Sequence, residues 1–160
     1  MSQLKPEYRL GEILKERNLT ICTAESCTGG LIAHRITDIA GSSSYMLGGI
    51  VAYSNEIKQR LLNVKEQTLI DFGAVSQQTA AEMASGAQLV FGADYALSVT
   101  GIAGPGGATE EKPLGLTYIG LAGPDGLLIV ERYVWSGDRE DNKLSSAEAA
   151  LHLFLQTPTT

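Results

Sequence analysis

Three adjacent side chains carry the groups best suited to act as nucleophiles in this sequence. Ser26, Cys27 and Thr28 lie in the segment TAESCTGG, between a β-branched apolar stretch and an apolar helical segment. A glycine-rich loop between a strand and a helix presents backbone N–H groups, which stabilise phosphates and oxyanions. The segment matches neither GxxxxGK[ST] nor GxGxxG. It therefore indicates a nucleophile loop or, as the structural alternative, a capping serine with glycines for close packing.

A serine nucleophile needs a neighbouring base to take its proton. His34 lies in the helical segment after Ser26 and is expected to point away from its start, and His152 lies in the last helix, so a Ser–His–Asp triad has little support. Tyr53 closes a predicted strand and Lys58 lies one turn into the next helix. A lysine whose pKa is lowered by burial can accept a serine proton, as in Ser–Lys variants of the triad. The same spacing also fits a strand-end tyrosine and a solvated lysine.

The acidic and thiol side chains predict neither a metal site nor a cofactor. Cys22 and Cys27 have no second pair, which is neither a disulfide framework nor a zinc spacing. The pairs Glu110–Glu111 and Glu140–Asp141 resemble solvated loop charges rather than the carboxylate cluster that a phosphate hydrolase needs. We therefore expect two reduced thiols in a cytoplasmic protein.

Composition limits the class of protein. The chain has 160 residues, of which 44% are hydrophobic and 19% charged, and its net charge is −6. These values predict one folded domain over residues 1–160. No apolar run is long enough to span a bilayer and the first ten residues do not resemble a signal peptide, so no membrane partner is expected. The acidic balance argues against nucleic acid as a partner.

The order of apolar segments predicts the fold class. Helices and strands alternate as α β α β α α α β β β α, which favours a three-layer α/β/α architecture with a central mixed, mostly parallel sheet. The second strand is predicted at Gly49–Tyr53, a late hairpin at Leu116–Leu121 and Leu127–Trp135, and the last helix at Asp141–Leu155. The apolar hairpin and glycine-rich edges favour a homo-oligomer, which we expect to be a dimer.

Four motifs in order carry a resemblance to a known family. They are TAESCTGGLIA from Thr23, GSSSYMLGGIVAYSNEIK from Gly41, GAVS from Gly73, and TGIAGPGG from Thr100 followed by KPLG. Together they resemble the CinA C-terminal domain family over nearly the whole chain. The resemblance implies a metal-independent nicotinamide-nucleotide amidase that converts nicotinamide mononucleotide to nicotinate mononucleotide and ammonia. It also implies a catalytic set in which Ser26 is the nucleophile, Tyr53 the relay and Lys58 the base or its support.

The substrate implied by this resemblance is a phosphorylated nucleotide, which needs further contacts. Backbone N–H groups from Cys27 to Gly30 are expected to stabilise the oxyanion, and Glu25 either accepts a hydrogen bond in the site or complements the helix dipole. Ser43 and Ser44 are weaker phosphate candidates. The predicted oxyanion and substrate-binding residues are Cys27, Thr28, Gly29, Gly30, Gly48, Gly49, Thr100, Gly101, Gly104 and Arg139. The alternative is a non-catalytic nucleotide-binding or interaction module linked to competence.

Overall fold

The structure is a computed structural model that describes residues 4–159; residues 1–3 and 160, at the ends of the predicted domain, lie outside the described residues. The helices are α1 (Pro6–Arg17), α2 (Leu31–Thr37), α3 (Asn55–Leu62), α4 (Glu66–Phe72), α5 (Gln77–Phe91) and α6 (Arg139–Gln156). The strands are β1 (Ile21–Glu25), β2 (Met46–Val51), β3 (Tyr95–Gly101), β4 (Leu116–Ala122) and β5 (Leu128–Val134). This order matches the order predicted from the sequence.

The five strands form one mixed sheet in the order β2-β1-β3-β4-β5. β1 pairs in parallel with β2 and with β3, whereas β4 pairs antiparallel with both β3 and β5. Since β5 thereby runs in the same direction as β3, β4 alone opposes the other four strands. The predicted three-layer α/β/α class with a mixed, mostly parallel sheet is confirmed.

Helices cover both faces of the sheet. α1, α2 and α6 pack together on one face, and α5 packs with α3 and α4 on the other. Every residue of β1 is buried, as is typical of a central parallel strand. On the first face the core includes Leu10, Tyr95 and Phe154, and the rings of Tyr95 and Phe154 meet edge to face at 5.2 Å. The smaller residues of the second core, mostly alanines, let α5 approach the sheet closely.

A group of charged side chains holds the first helical layer together. Arg35 of α2 contacts Glu7 of α1 and Glu148 of α6, both at 2.7 Å. The Arg35 and Glu7 side chains are largely removed from solvent, so this pairing is stronger than an exposed ion pair. It fixes α2 against α6, and these are the two helices that border the candidate site.

Two predicted boundaries are wrong by a few residues. β2 runs from Met46 to Val51 rather than from Gly49 to Tyr53, so Gly48 belongs to the strand together with Gly49. A Cβ on Gly49 would lie 2.4 Å from the Thr23 hydroxyl oxygen, so the close approach of β2 to β1 requires glycine there. α6 begins at Arg139, since the Asp138 carboxylate accepts a hydrogen bond from the Asp141 N–H and caps the helix.

Candidate active site

The candidate site lies where three neighbouring strands end. Ser26 directly follows β1, and its N–H donates to the Val99 carbonyl of β3 at 2.9 Å. The Ala52 N–H donates to the Glu25 carbonyl at 2.8 Å, which continues the β1–β2 pairing one residue past β2. Open α/β sheets bind ligands at the carboxyl ends of their strands. The backbone thus fixes Ser26 and Ala52 at the edge where a ligand is expected.

Glu25 positions the helix that follows the nucleophile loop. Its side chain is buried, and its carboxylate accepts hydrogen bonds from the Thr28 hydroxyl at 2.7 Å and from the N–H groups of Ile32 and Ala33 at 2.9 and 3.0 Å. A carboxylate at a helix N-terminus also interacts favourably with the helix dipole. Of the two roles considered for Glu25, the structure supports the one at the start of α2.

Lys58 brings a buried amine to the Ser26 hydroxyl. Ser54 caps α3 by accepting a hydrogen bond from the Ile57 N–H, so the helix begins immediately after β2 and turns Lys58 inwards. Lys58 is only 1% exposed, and its Nζ lies 3.1 Å from Ser26 Oγ. The same Nζ donates to the carbonyl oxygens of Ala52 at 2.8 Å and Tyr53 at 3.4 Å.

These contacts suit a neutral amine that acts as a base. Burial lowers the pKa of Lys58 below the ordinary lysine value of 10.5, an effect that the nearby Cys27 partly offsets. A neutral amine has two N–H groups and one lone pair. When the two N–H groups donate to Ala52 and Tyr53, the lone pair points to Ser26 and can accept its proton. Among residues 4–159, no carboxylate forms an ion pair with Lys58 that would stabilise its charged form.

Tyr53 contributes to the site through its backbone carbonyl and its hydroxyl separately. The carbonyl contacts Lys58, whereas the side chain is 64% exposed and its hydroxyl accepts a hydrogen bond from Arg139 Nη2 at 3.3 Å. Arg139 Nη1 donates to the Gly104 carbonyl at 2.8 Å. The structure therefore brings the predicted Tyr53, Arg139 and Gly104 together, but the Lys58–Ser26 contact is direct and does not pass through the phenol.

The loop after Ser26 offers unpaired backbone donors. The N–H of Gly29 donates to the Ser26 carbonyl and that of Leu31 to the Thr28 carbonyl. Within the described part of the chain, the N–H groups of Cys27, Thr28 and Gly30 make no hydrogen bond to another residue. In the loop that was predicted to stabilise an oxyanion, the backbone N–H groups of these three residues are therefore free to donate to one.

A cleft of about 600 Å³ opens beside this loop. Its lining residues are Thr28, Gly29, Gly30, Leu31, His34, Arg139, Glu140, Lys143 and Leu144. His34 therefore borders the same cleft as the start of α2, and the expectation that it points away from this region is wrong. Within residues 4–159 neither His34 nor His152 hydrogen-bonds Ser26; each is instead close to a carboxylate on its own helix.

Several predicted phosphate contacts lie away from the cleft. Gly48 and Gly49 are inside β2, where Phe91 and Thr23 fill the space that side chains would need. The Thr100 hydroxyl donates to the Ala74 carbonyl at 2.7 Å, and Gly101 packs against Thr117. The Ser44 hydroxyl donates to the Gly41 carbonyl, and neither Ser43 nor Ser44 lines the cleft.

Both cysteine thiols of the described chain are buried. Burial raises the pKa of the Cys27 thiol to about 11 and that of Cys22 to about 12, so both are almost entirely protonated at neutral pH.

In the described chain, His, Cys, Asp and Glu side chains form no cluster of three or more suited to a metal ion, and no helix is long and apolar enough to cross a membrane.

Two features of the candidate site, the Ala52 carbonyl that contacts Lys58 and the cleft-lining Lys143, were missed from the sequence. The Ala52 carbonyl has no side-chain signal at all. Lys143 could have been found, because it lies four residues after Arg139 and such residues share a helix face. Because the predicted last helix began at Asp141, Arg139 lay outside it, and the shared helix face of Arg139 and Lys143 was not recognised.

The sequence that carries the serine after β1 and the lysine on α3 matches a known protein family. The family model of the CinA C-terminal domain matches residues 4–157, which is almost the entire chain. The chain belongs to the CinA C-terminal domain family.

Relatives of this CinA C-terminal domain occur both alone and within longer proteins. A "Nicotinamide-nucleotide amidohydrolase PncC" from Enterobacter agglomerans is 49% identical over 147 residues, which cover 92% of this chain and 90% of that protein. A "CinA-like protein" from Chloroherpeton thalassium is 52% identical over 150 residues, covering 92% of this chain but only 36% of its own length. The chain thus spans about a third of the longer curated relatives.

Solved structures of the same superfamily have the same fold. The competence/damage inducible protein CihA from Agrobacterium tumefaciens superposes with a TM-score of 0.92 at 40% identity, covering 94% of this chain and 92% of that chain. A CinA superfamily protein from Escherichia coli gives a TM-score of 0.91 at 30% identity, covering 94% and 87%. The CinA C-terminal domain described here therefore has the family fold over about 94% of its length.

Proposed function

We propose that this protein hydrolyses the carboxamide of nicotinamide mononucleotide, giving nicotinate mononucleotide and ammonia. The observation that carries the proposal is the 3.1 Å contact between the buried amine of Lys58 and the Ser26 hydroxyl, in the loop whose following residues, Thr28 to Gly30, line an open cleft. A hydroxyl paired with a base of lowered pKa suits nucleophilic attack on an amide. The substrate is inferred from the relative named as a nicotinamide-nucleotide amidohydrolase, nearly all of which this chain matches.

The first half of the proposed reaction forms an ester on Ser26. Ser26 Oγ attacks the carboxamide carbon while its proton moves to Lys58 Nζ. The N–H groups of Cys27, Thr28 and Gly30 are the candidates to stabilise the negative oxygen of the tetrahedral intermediate. When that intermediate collapses, the C–N bond breaks and Lys58 returns the proton to the leaving nitrogen, so ammonia departs and Lys58 is neutral again.

The second half hydrolyses the ester with the same groups. Lys58 accepts a proton from a water molecule as the water oxygen attacks the ester carbon. The bond from carbon to Ser26 Oγ then breaks, and the proton on Lys58 restores the serine hydroxyl. The acid product is nicotinate mononucleotide. Each step uses only residues of this chain, and we propose that no metal ion takes part.

Ammonia release from nicotinamide mononucleotide tests this function directly. We expect release from the nucleotide, much slower release from free nicotinamide and none from glutamine, with no loss of rate in a chelator. Nicotinate mononucleotide should accumulate in equal amount. Tight binding of the nucleotide without any release would contradict the amidase and favour the non-catalytic binding module.

The direct Lys58–Ser26 contact predicts a modest effect of Tyr53→Phe. This variant keeps the backbone carbonyl that holds Lys58 and removes only the hydroxyl that contacts Arg139. We expect kcat to fall by less than about 10-fold, since general-base transfer itself contributes about 10²–10⁴-fold. Steady-state kinetics on nicotinamide mononucleotide measures this. A loss as large as that caused by removing the Lys58 amine would instead assign the phenol to the proton relay.

A further inference from the structure

The wall of the cleft formed by α6 carries two cations on one helix face. Arg139 and Lys143 are four residues apart and both line the cleft, opposite Gly29 and Gly30 of the nucleophile loop. His34 adds a titratable group, and Glu140 is the one carboxylate among the lining residues. In a chain whose net charge is −6, this local excess of basic groups favours an anionic ligand.

The two cations differ in what already binds them. Arg139 donates to the Gly104 carbonyl and the Tyr53 hydroxyl, so its guanidinium is held in place. Lys143 is partly buried and, among the described residues, makes no hydrogen bond and no ion pair. Its three N–H donors are therefore available to a ligand in the cleft.

Lys143 also lies close to the nucleophile loop. Its Nζ is 3.9 Å from the position that a Cβ on Gly29 would occupy, a van der Waals separation, so the amine lies directly beside this loop. Gly29 has a φ of +61°, which glycine adopts at little cost. The charge of Lys143 also reaches the residue after Ser26: burial raises the pKa of Cys27, and Lys143 acts in the opposite direction. Lys143 therefore lies beside the loop that follows Ser26.

We propose that Lys143 binds the 5′-phosphate of the substrate and makes the enzyme select the nucleotide over its nucleoside. This inference rests on the proposed amidase function. A phosphate monoester carries nearly two negative charges at neutral pH and accepts several charge-assisted hydrogen bonds. Lys143 supplies the free donors, and Arg139, held by its own contacts, supplies a second positive charge beside it.

The test compares nicotinamide mononucleotide with nicotinamide riboside, which lacks only the phosphate. In Lys143→Met we expect KM for the mononucleotide to rise about 10-fold or more with kcat changed far less, because a charge-assisted hydrogen bond is lost. The kinetic constants for the riboside should stay the same. Lys143→Arg should retain most of the preference for the phosphorylated substrate. The control is Lys65→Met, which removes an exposed lysine outside the cleft and should change neither substrate.

The outcomes separate this inference from the proposed function. Equal losses for both substrates in Lys143→Met, or no loss for either, would overturn the phosphate role. If the wild-type protein hydrolyses neither substrate, the amidase proposal fails, and calorimetric binding of nicotinate mononucleotide and nicotinate riboside then tests Lys143 alone. A preference for the phosphorylated ligand that disappears in Lys143→Met supports the role, and a preference that persists contradicts it.

Discussion

Replacing Ser26 by alanine is expected to reduce kcat on nicotinamide mononucleotide by about 10³-fold or more, the scale seen when a serine nucleophile is removed. The change deletes only the oxygen that Lys58 contacts, and it leaves the backbone donors of the loop in place. Binding of nicotinate mononucleotide should therefore be nearly unaffected. Ammonia release measures the first effect and calorimetry the second. A variant that keeps wild-type turnover would exclude Ser26 as the nucleophile.

Cys27→Ala supplies the matched comparison, since it removes the competing nucleophile beside Ser26. The raised pKa of the Cys27 thiol leaves little thiolate at neutral pH. The alanine variant also retains the N–H of residue 27, so we expect at least about a tenth of wild-type kcat. Mass spectrometry of protein quenched during turnover should show a nicotinate ester in the wild type and in Cys27→Ala but not in Ser26→Ala.

Replacing Lys58 by methionine is expected to lower kcat by about 10²–10⁴-fold, the contribution typical of a general base. Methionine fills similar space but has no lone pair that could accept the serine proton. Lys58→Arg should be as inactive, because a guanidinium is not deprotonated in proteins. Steady-state ammonia release checks both variants. If arginine restored activity, Lys58 would act by its positive charge and not as a base.

The pH dependence follows from the same lysine. Its protonated form cannot take a proton, so kcat/KM should rise with pH through the lowered pKa of Lys58 and level off above it, with a midpoint below 10.5. Stability should respond in the same pH region. Since the unfolded chain retains the ordinary pKa, the wild type should gain stability relative to Lys58→Met as pH rises from the lowered pKa towards 10.5. Thermal melts over this range measure the difference, and a constant difference would contradict a lowered pKa.

The sequence predicts the fold better than it predicts the surroundings of Ser26, the candidate nucleophile. Alternating helices and strands are local patterns, so their order and the three-layer class could be read directly. Ser26 could be proposed because its loop has a recognisable composition. The burial of Lys58 could not be read from its spacing, since it depends on how α3 packs behind the end of β2.

The candidate phosphate contacts show most clearly what amino-acid composition alone cannot predict, namely which residues line the cleft. Gly48 and Gly49 were expected to cradle a ligand, yet close packing of β2 on β1 accounts for the glycine at position 49. Lys143 was overlooked because the start of α6 depends on a single cap, Asp138, and a shift of two residues hides which side chains share a face. A glycine in the sequence indicates that another group packs closely against the backbone there. Only the tertiary structure shows whether that group belongs to a neighbouring strand or to a ligand.

The two carbonyl contacts to Lys58 have a consequence for which mutations the candidate site tolerates. Both of its carbonyl partners belong to the main chain, so exchanging the side chain of Ala52 or Tyr53 does not delete them. What can displace them is a slip of β2 along β1, which pair from Ile21–Met46 to Glu25–Val51 with one register shift between Ile21 and Cys22. We therefore expect that mutations far from the cleft also abolish function in this family. Such mutations would replace the small residues packed between β1 and β2, which do not contact a substrate.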